Sequence, residues 1–127
     1  MPTELQRKKA LALVSDLFFS VKIADAAKRA GMTVEMSKDP AEILIKAKEK
    51  PSVVIIDLNF DSAQALDLIA KLKGNPEYKG VSVIGFVSHV QGELKQAAQD
   101  AGCDLVMPRS TFSQNLPQIL KRHSGVL

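Results

Sequence analysis

Apolar residues along this chain alternate between two spacings. In five short runs nearly every position is apolar or β-branched: ALALVS (10–15), TVEMS (33–37), VVIID (53–57), VSVIGFV (81–87) and DLVM (104–107). Runs of this length, bounded by polar and turn-forming residues, predict strands. Over 17–30, 40–49, 62–74, 91–101 and 113–123 the apolar residues instead recur every three or four positions, which predicts helices. The punctuation agrees with five strand–helix units. Gly31 and Gly102 follow alanine-rich helical stretches where a left-handed residue ends a helix, and Asp39-Pro40 reads as a cap followed by a first-turn proline. Ser113 reads as the cap of the last helix, which would leave Pro117 close to the first turn, where its missing N–H costs little.

The first, third and fourth strands are apolar nearly throughout rather than alternating. That is the pattern of a parallel sheet covered by helices on both faces. Strict strand–helix alternation predicts a three-layer, doubly wound α/β fold with right-handed crossovers. No repeat, low-complexity tract or linker divides the chain, so residues 1–127 are expected to form one domain, its core spanning about 9–122.

In doubly wound sheets the functional crevice lies beyond the carboxyl ends of the strands. This rule singles out Ser15 and Asp16, Asp57 to Asn59, Val87 to His89, and Pro108 to Ser110. Asp16 and Asp57 end neighbouring strands, and two converging carboxylates repel unless a cation lies between them; Mg²⁺ is one such cation. Asp16 also suits the plain role of capping the helix that follows. Arg109 could place its own positive charge in the crevice, pairing in bidentate fashion with Asp57 or Asp16, or it could be a solvated loop residue. Ser88 offers a hydroxyl, whereas His89 has no neighbour of the kind that activates a nucleophile. The phenylalanines of SDLFFS fall in a helix and read as core. Cys103 sits at the far end of the fifth strand and reads as a small buried hydrophobe.

Composition narrows the classes. The chain has 127 residues, 46% hydrophobic and 24% charged, with a net charge of +3. These proportions are those of a globular protein. The basic residues cluster partly at the two ends, with no basic stripe interleaved with aromatics, so nucleic-acid binding is not expected. One cysteine excludes an internal disulfide, and no apolar run approaches the roughly 20 residues that span a membrane. With no signal-peptide pattern either, a cytoplasmic location is expected. Neither GxGxxG nor GxxxxGK[ST] occurs, so no nucleotide cradle is predicted, and one Cys with two His gives no zinc spacing.

The order of these segments resembles the response-regulator receiver domains of two-component signalling. LALVSDLFFSVKIADAAKRAG is similar to that family's first strand, acidic turn and first helix, and VVIIDLNF to the strand that carries the phosphoacceptor aspartate. KLKGNPEYKGVSVIGFVSH and AGCDLVMPRS are similar to the segments that lead through strands four and five. The resemblance implies a flavodoxin-like five-stranded sheet of order 2-1-3-4-5 with five helices. It also implies a signalling module rather than an enzyme. Asp57 stands at the phosphoacceptor, Asp16 at a Mg²⁺ ligand, and Asn59 where a main-chain carbonyl would reach the metal.

Other positions depart from the family pattern. Ser15 replaces the first acidic residue, Val87 the switch Ser/Thr, Val106 the aromatic of strand five, Arg109 the lysine, and Ser110 the proline after it. Valine offers no hydrogen bond to a phosphoryl oxygen, and Ser88, one residue along a strand, points the other way. Arg109 keeps a positive charge in a wide planar fork rather than a compact ammonium. These departures predict an interaction module in which phosphorylation-driven switching is lost or weakened, with Mg²⁺ not required. Two alternatives stay open: a working receiver phosphorylated on Asp57 by a histidine kinase with Mg²⁺, and a flavodoxin-like small-ligand binder or enzyme. Partners would be a histidine kinase or a downstream regulator. A homodimer could form through the face of helix 4, strand 5 and helix 5, with Gln91, Lys95, Gln99, Gln118 and Arg122.

Overall fold

The structure, a computed structural model, describes residues 8–88 and 92–124. Five strands, β1 (Lys9–Leu13), β2 (Thr33–Ser37), β3 (Val53–Asp57), β4 (Ser82–Val87) and β5 (Leu105–Pro108), form one parallel sheet in the order β2-β1-β3-β4-β5. The helices α1 (Leu17–Arg29), α2 (Pro40–Lys46), α3 (Ser62–Lys73), α4 (Gly92–Asp100) and α5 (Arg109–His123) alternate with them. Short 3₁₀ turns extend α2 over Ala47–Glu49 and bridge α3 to β4 over Pro76–Tyr78. This is the five-stranded, doubly wound architecture that the periodicity predicts. His89 and Gln91 lie outside the described residues.

Alternation along the strands divides the core in two. Leu11, Leu13, Val54, Ile56, Val83 and Val87 pack on one face with α2, α3 and α4. Ala10, Ala12, Val53, Ile55, Ile84 and Phe86 pack on the other with α1 and α5. Every residue of β3 is buried, because helices cover it on both sides and β1 and β4 flank it. The caps follow their chemistry. Asp16, Asp39 and Asp61 each accept main-chain N–H bonds at the start of α1, α2 and α3, and Pro40 occupies the first turn of α2.

Two local expectations are corrected. The last helix begins at Arg109, not at Ser113; the extended backbone of Pro108 (φ −61°, ψ 151°) precedes it without any side-chain cap. The buried stripe Phe112, Leu116, Ile119, Leu120 carries the helical period one turn back beyond Ser113. Pro117 therefore lies in the helix interior, where it has no N–H for the Ser113 carbonyl, a change worth about 3 kcal/mol in an ordinary helix. The second correction concerns Phe18. It is 66% exposed, and only Phe19 joins the core, because the stripe Phe19, Ile23, Ala26, Ala27 faces the sheet and turns its neighbour to solvent. Cys103 is buried as expected; desolvation pushes its thiol up to about 11, against its hydrogen bonds, so it is not a reactive thiolate.

Both glycines read as helix terminators adopt positive φ, +76° at Gly31 and +108° at Gly102. They differ in surroundings. A Cβ at Gly31 would meet nothing within 4 Å, whereas at Gly102 it would lie 2.8 Å from Cβ of Lys73. Gly102→Ala should therefore cost more than Gly31→Ala, by about 1 kcal/mol or more on top of a shared backbone cost of about 1–2 kcal/mol. Urea unfolding of the two variants measures this directly; equal losses would show that Lys73 yields without strain.

Candidate functional site

Asp57 is the last residue of β3 and pairs in register with Phe86 of β4. It continues the odd-numbered positions Val53 and Ile55, so its side chain enters the α1/α5 side, where it is almost wholly buried. One carboxylate oxygen, Oδ1, accepts the main-chain N–H of Asn59 at 2.9 Å. The other, Oδ2, lies 3.6 Å from Nη2 of Arg109. Burial pushes the Asp57 carboxyl above its ordinary range. The Asn59 N–H and the Arg109 charge oppose that rise, and the Asp16 charge adds to it.

Asp16 is the cap of α1 and also faces the crevice cation. Its Oδ1 caps α1 by accepting the amides of Phe18 (2.8 Å) and Phe19 (3.4 Å), while its Oδ2 faces Nη1 of Arg109 at 3.5 Å. Arg109 therefore bridges the two carboxylates with one nitrogen each, instead of gripping either in bidentate fashion. Both distances exceed those of charge-assisted hydrogen bonds, so the attraction is mainly coulombic.

What fixes the guanidinium is aromatic. Its carbon lies 4.8 Å from the ring centre of Phe19 and 5.7 Å from that of Phe86. Phe86 packs in turn against Phe19 (5.2 Å, 18°) and Phe112 (4.7 Å, 11°), which also meet each other at 6.3 Å. The Nε of Arg109 is buried and finds no hydrogen-bond partner among the described residues, as expected for a cation held on its faces by rings. Sequence reasoning missed this platform. The available signal was Phe19 and Phe112, each falling on a buried stripe near the start of the helix that follows a strand.

The remaining predicted residues divide by sheet face. Val87 and Val106 are buried with the α2–α4 core, on the side opposite Asp57. Ser15 is exposed between β1 and α1, and Ser88 is exposed just beyond β4. Asn59 has a side-chain role that the sequence did not reveal: its Oδ1 accepts the Ser88 N–H at 2.6 Å and ties together the loops after β3 and β4. Gly85 supports the same junction. Leu58 packs where a Cβ would stand, with Cδ1 3.0 Å away, and its N–H bonds the Phe86 carbonyl. Lys95 and Gln99 of α4 and Gln118 and Arg122 of α5 are exposed.

The donor set does not fit Mg²⁺ as it lies. Both inward-facing oxygens, Asp16 Oδ2 and Asp57 Oδ2, face the guanidinium, and the other oxygen of each carboxylate accepts main-chain amides. Among the described residues no three His, Cys, Asp or Glu side chains converge as a metal site. No described helix is long and apolar enough to cross a membrane.

No family model matches the chain, and no curated protein matches it. Solved structures do. A putative response regulator from Chloroflexus aurantiacus superposes with a TM-score of 0.78 at 17% identity, covering 91% of this chain and 96% of its own. The chemotaxis protein CheY4 of Vibrio cholerae gives 0.77 at 22% identity, covering 91% and 97%. A response regulator from Thermotoga maritima gives 0.74 at 17%, covering 91% and 96%. At these identities the likeness establishes the fold: this chain has the architecture of the response-regulator receiver.

The raised Asp57 carboxyl has a defined effect on stability. The folded state holds this proton to a higher pH than the unfolded chain does, so the Asp57 contribution to stability falls as pH rises from the ordinary aspartate range through the folded pKa. Asp57→Asn removes the burial cost of the charge. It should leave stability unchanged well below pH 3.8 and raise it relative to the parent as pH increases. Urea midpoints of the two proteins between pH 3 and 8 measure the divergence. A parent that gains on the variant with rising pH would mean that Arg109 outweighs burial.

Proposed function

We propose that this chain is a receiver-like signalling module that acts through protein–protein contacts and holds one conformation without phosphorylation. The observation that carries this reading is the Arg109 guanidinium, poised between Asp16 and Asp57 on the Phe19 and Phe86 rings. A resident cation there does what an incoming divalent ion would do for the two carboxylates, without needing to be bound. Phosphoryl transfer depends on positioning and electrostatics, and here the inward oxygen of Asp57 already faces a counter-charge.

Val87 supports the same reading. A hydroxyl at the end of β4 could bond a phosphoryl oxygen, a contact worth about 1.5–3 kcal/mol to a charged group. Valine cannot make it, and its side chain is buried on the far face of the sheet. Whatever signal the module carries leaves through a surface. The polar α4–β5–α5 face, with Lys95, Gln99, Gln118 and Arg122, is the proposed contact for a histidine kinase, a downstream regulator or a second copy. Neither catalysis nor nucleic-acid binding belongs to this reading, which places the module in the cytoplasm.

Incubation with a small acyl phosphate and millimolar Mg²⁺, followed by intact-mass analysis, is the direct test. The expected result is no stoichiometric adduct under conditions that load a conventional receiver. A stoichiometric adduct that disappears in Asp57→Asn would instead establish a working phosphoacceptor and overturn the proposal.

A further inference from the structure

The α1/α5 side of the molecule carries a second feature, independent of Asp57. Between the two helices lies a groove of about 420 Å³, within the range of small-molecule sites. Its floor is apolar, formed by Ala26, Ala30, Leu116 and the ring of Pro117. Cations rim it: Lys22 and Arg29 from α1, and Lys121 from α5. We propose that this groove binds a small amphipathic anion, an apolar body bearing one carboxylate, sulfonate or phosphate.

The state of the charges favours this assignment. Lys22 reaches across from α1 to the Ser113 hydroxyl on α5, and its ammonium lies 5.4 Å from the ring centre of Phe18. Both contacts fix the cation in place, and neither neutralises it. Asp25 is the acid in the lining, and it is engaged by Nε of Arg29 at 3.1 Å. Among the described residues no carboxylate pairs with Lys22 or Lys121. Two positive charges thus stand beside an apolar cleft without an ion-pair partner among the described residues. Pro117 adds to the apolar wall and brings no N–H of its own. A ligand with an apolar body and a single anionic end meets both halves of this surface. An inorganic anion would leave the floor uncovered, and a neutral apolar molecule would leave the lysines unmatched.

The neighbouring exposed patch of Leu17, Phe18 and Val21 supplies the control, because it is apolar and shares Lys22. The test is an amide NMR titration of the full chain with naphthalene-1-sulfonate, and separately with inorganic phosphate. Saturable shifts are expected at amides of 22–30 and 113–124. The Lys22→Gln, Lys121→Gln double variant should bind roughly five- to twentyfold more weakly, the scale of two exposed charge contacts. Leu17→Ser, Val21→Ser should bind as the parent does, and inorganic phosphate should bind far more weakly than the sulfonate. Three results would each overturn the proposal: affinity unchanged in the lysine variant, binding lost in the patch variant, or phosphate as tight as the sulfonate. All substitutions are at exposed positions, and thermal melts of the variants serve as the check on folding.

Discussion

A carboxylate at the end of a fully buried strand constrains everything around it. An ion removed from water costs several kcal/mol even after relaxation, and a partner charge recovers that only if it is held close. For Asp57 the partner is Arg109, which arrives from the first residue of α5. The start of that helix, the path of β5 and the rings beneath the guanidinium therefore all bear on one ion pair. Asp16 completes the arrangement from α1, so three elements that are distant in sequence are joined by a single side chain.

The sheet decides which residues can take part. Side chains alternate between faces, so Asp57 and Phe86 fall on the α1/α5 side while Val87 and Val106 fall on the other. A guanidinium on that side needs flat, polarisable surroundings, and Phe19 and Phe86 supply them, with Phe112 packed against both rings. Phe86 comes from a strand and Phe19 and Phe112 from helices on the same face, so the platform exists only once α1 and α5 have both packed. Arginine rather than lysine suits such a platform, because a planar delocalised cation can lie against rings while its nitrogens point at two separate carboxylates.

Much of this was legible in the sequence. Unbroken apolar runs mark β1, β3 and β4, and the strand-end rule by itself brings Asp16, Asp57 and Arg109 together. Local chemistry misled at Ser113, which has the composition of a cap; the position of Phe112 on the buried stripe overrides it. The same stripe distinguishes Phe19 from Phe18, although both read as core when taken by composition alone. The bridging geometry of Arg109 and the Asn59–Ser88 bond were not legible. They depend on side-chain directions across loops whose spacing in the chain, 29 residues between Asn59 and Ser88, carries no periodic signal.

The segment after Asp57 is fastened to β4 at three successive points. Leu58 donates its N–H to Phe86, its side chain fills the space that Gly85 leaves, and Asn59 receives the N–H of Ser88. The segment after β3 and the end of β4, as far as Ser88, are therefore joined, and that segment cannot open locally without releasing Phe86 and Ser88. The segment beside the buried carboxylate is thus coupled to the end of β4 rather than free to move by itself. A ligand that ordered the segment after Asp57 would therefore restrict the end of β4 as well.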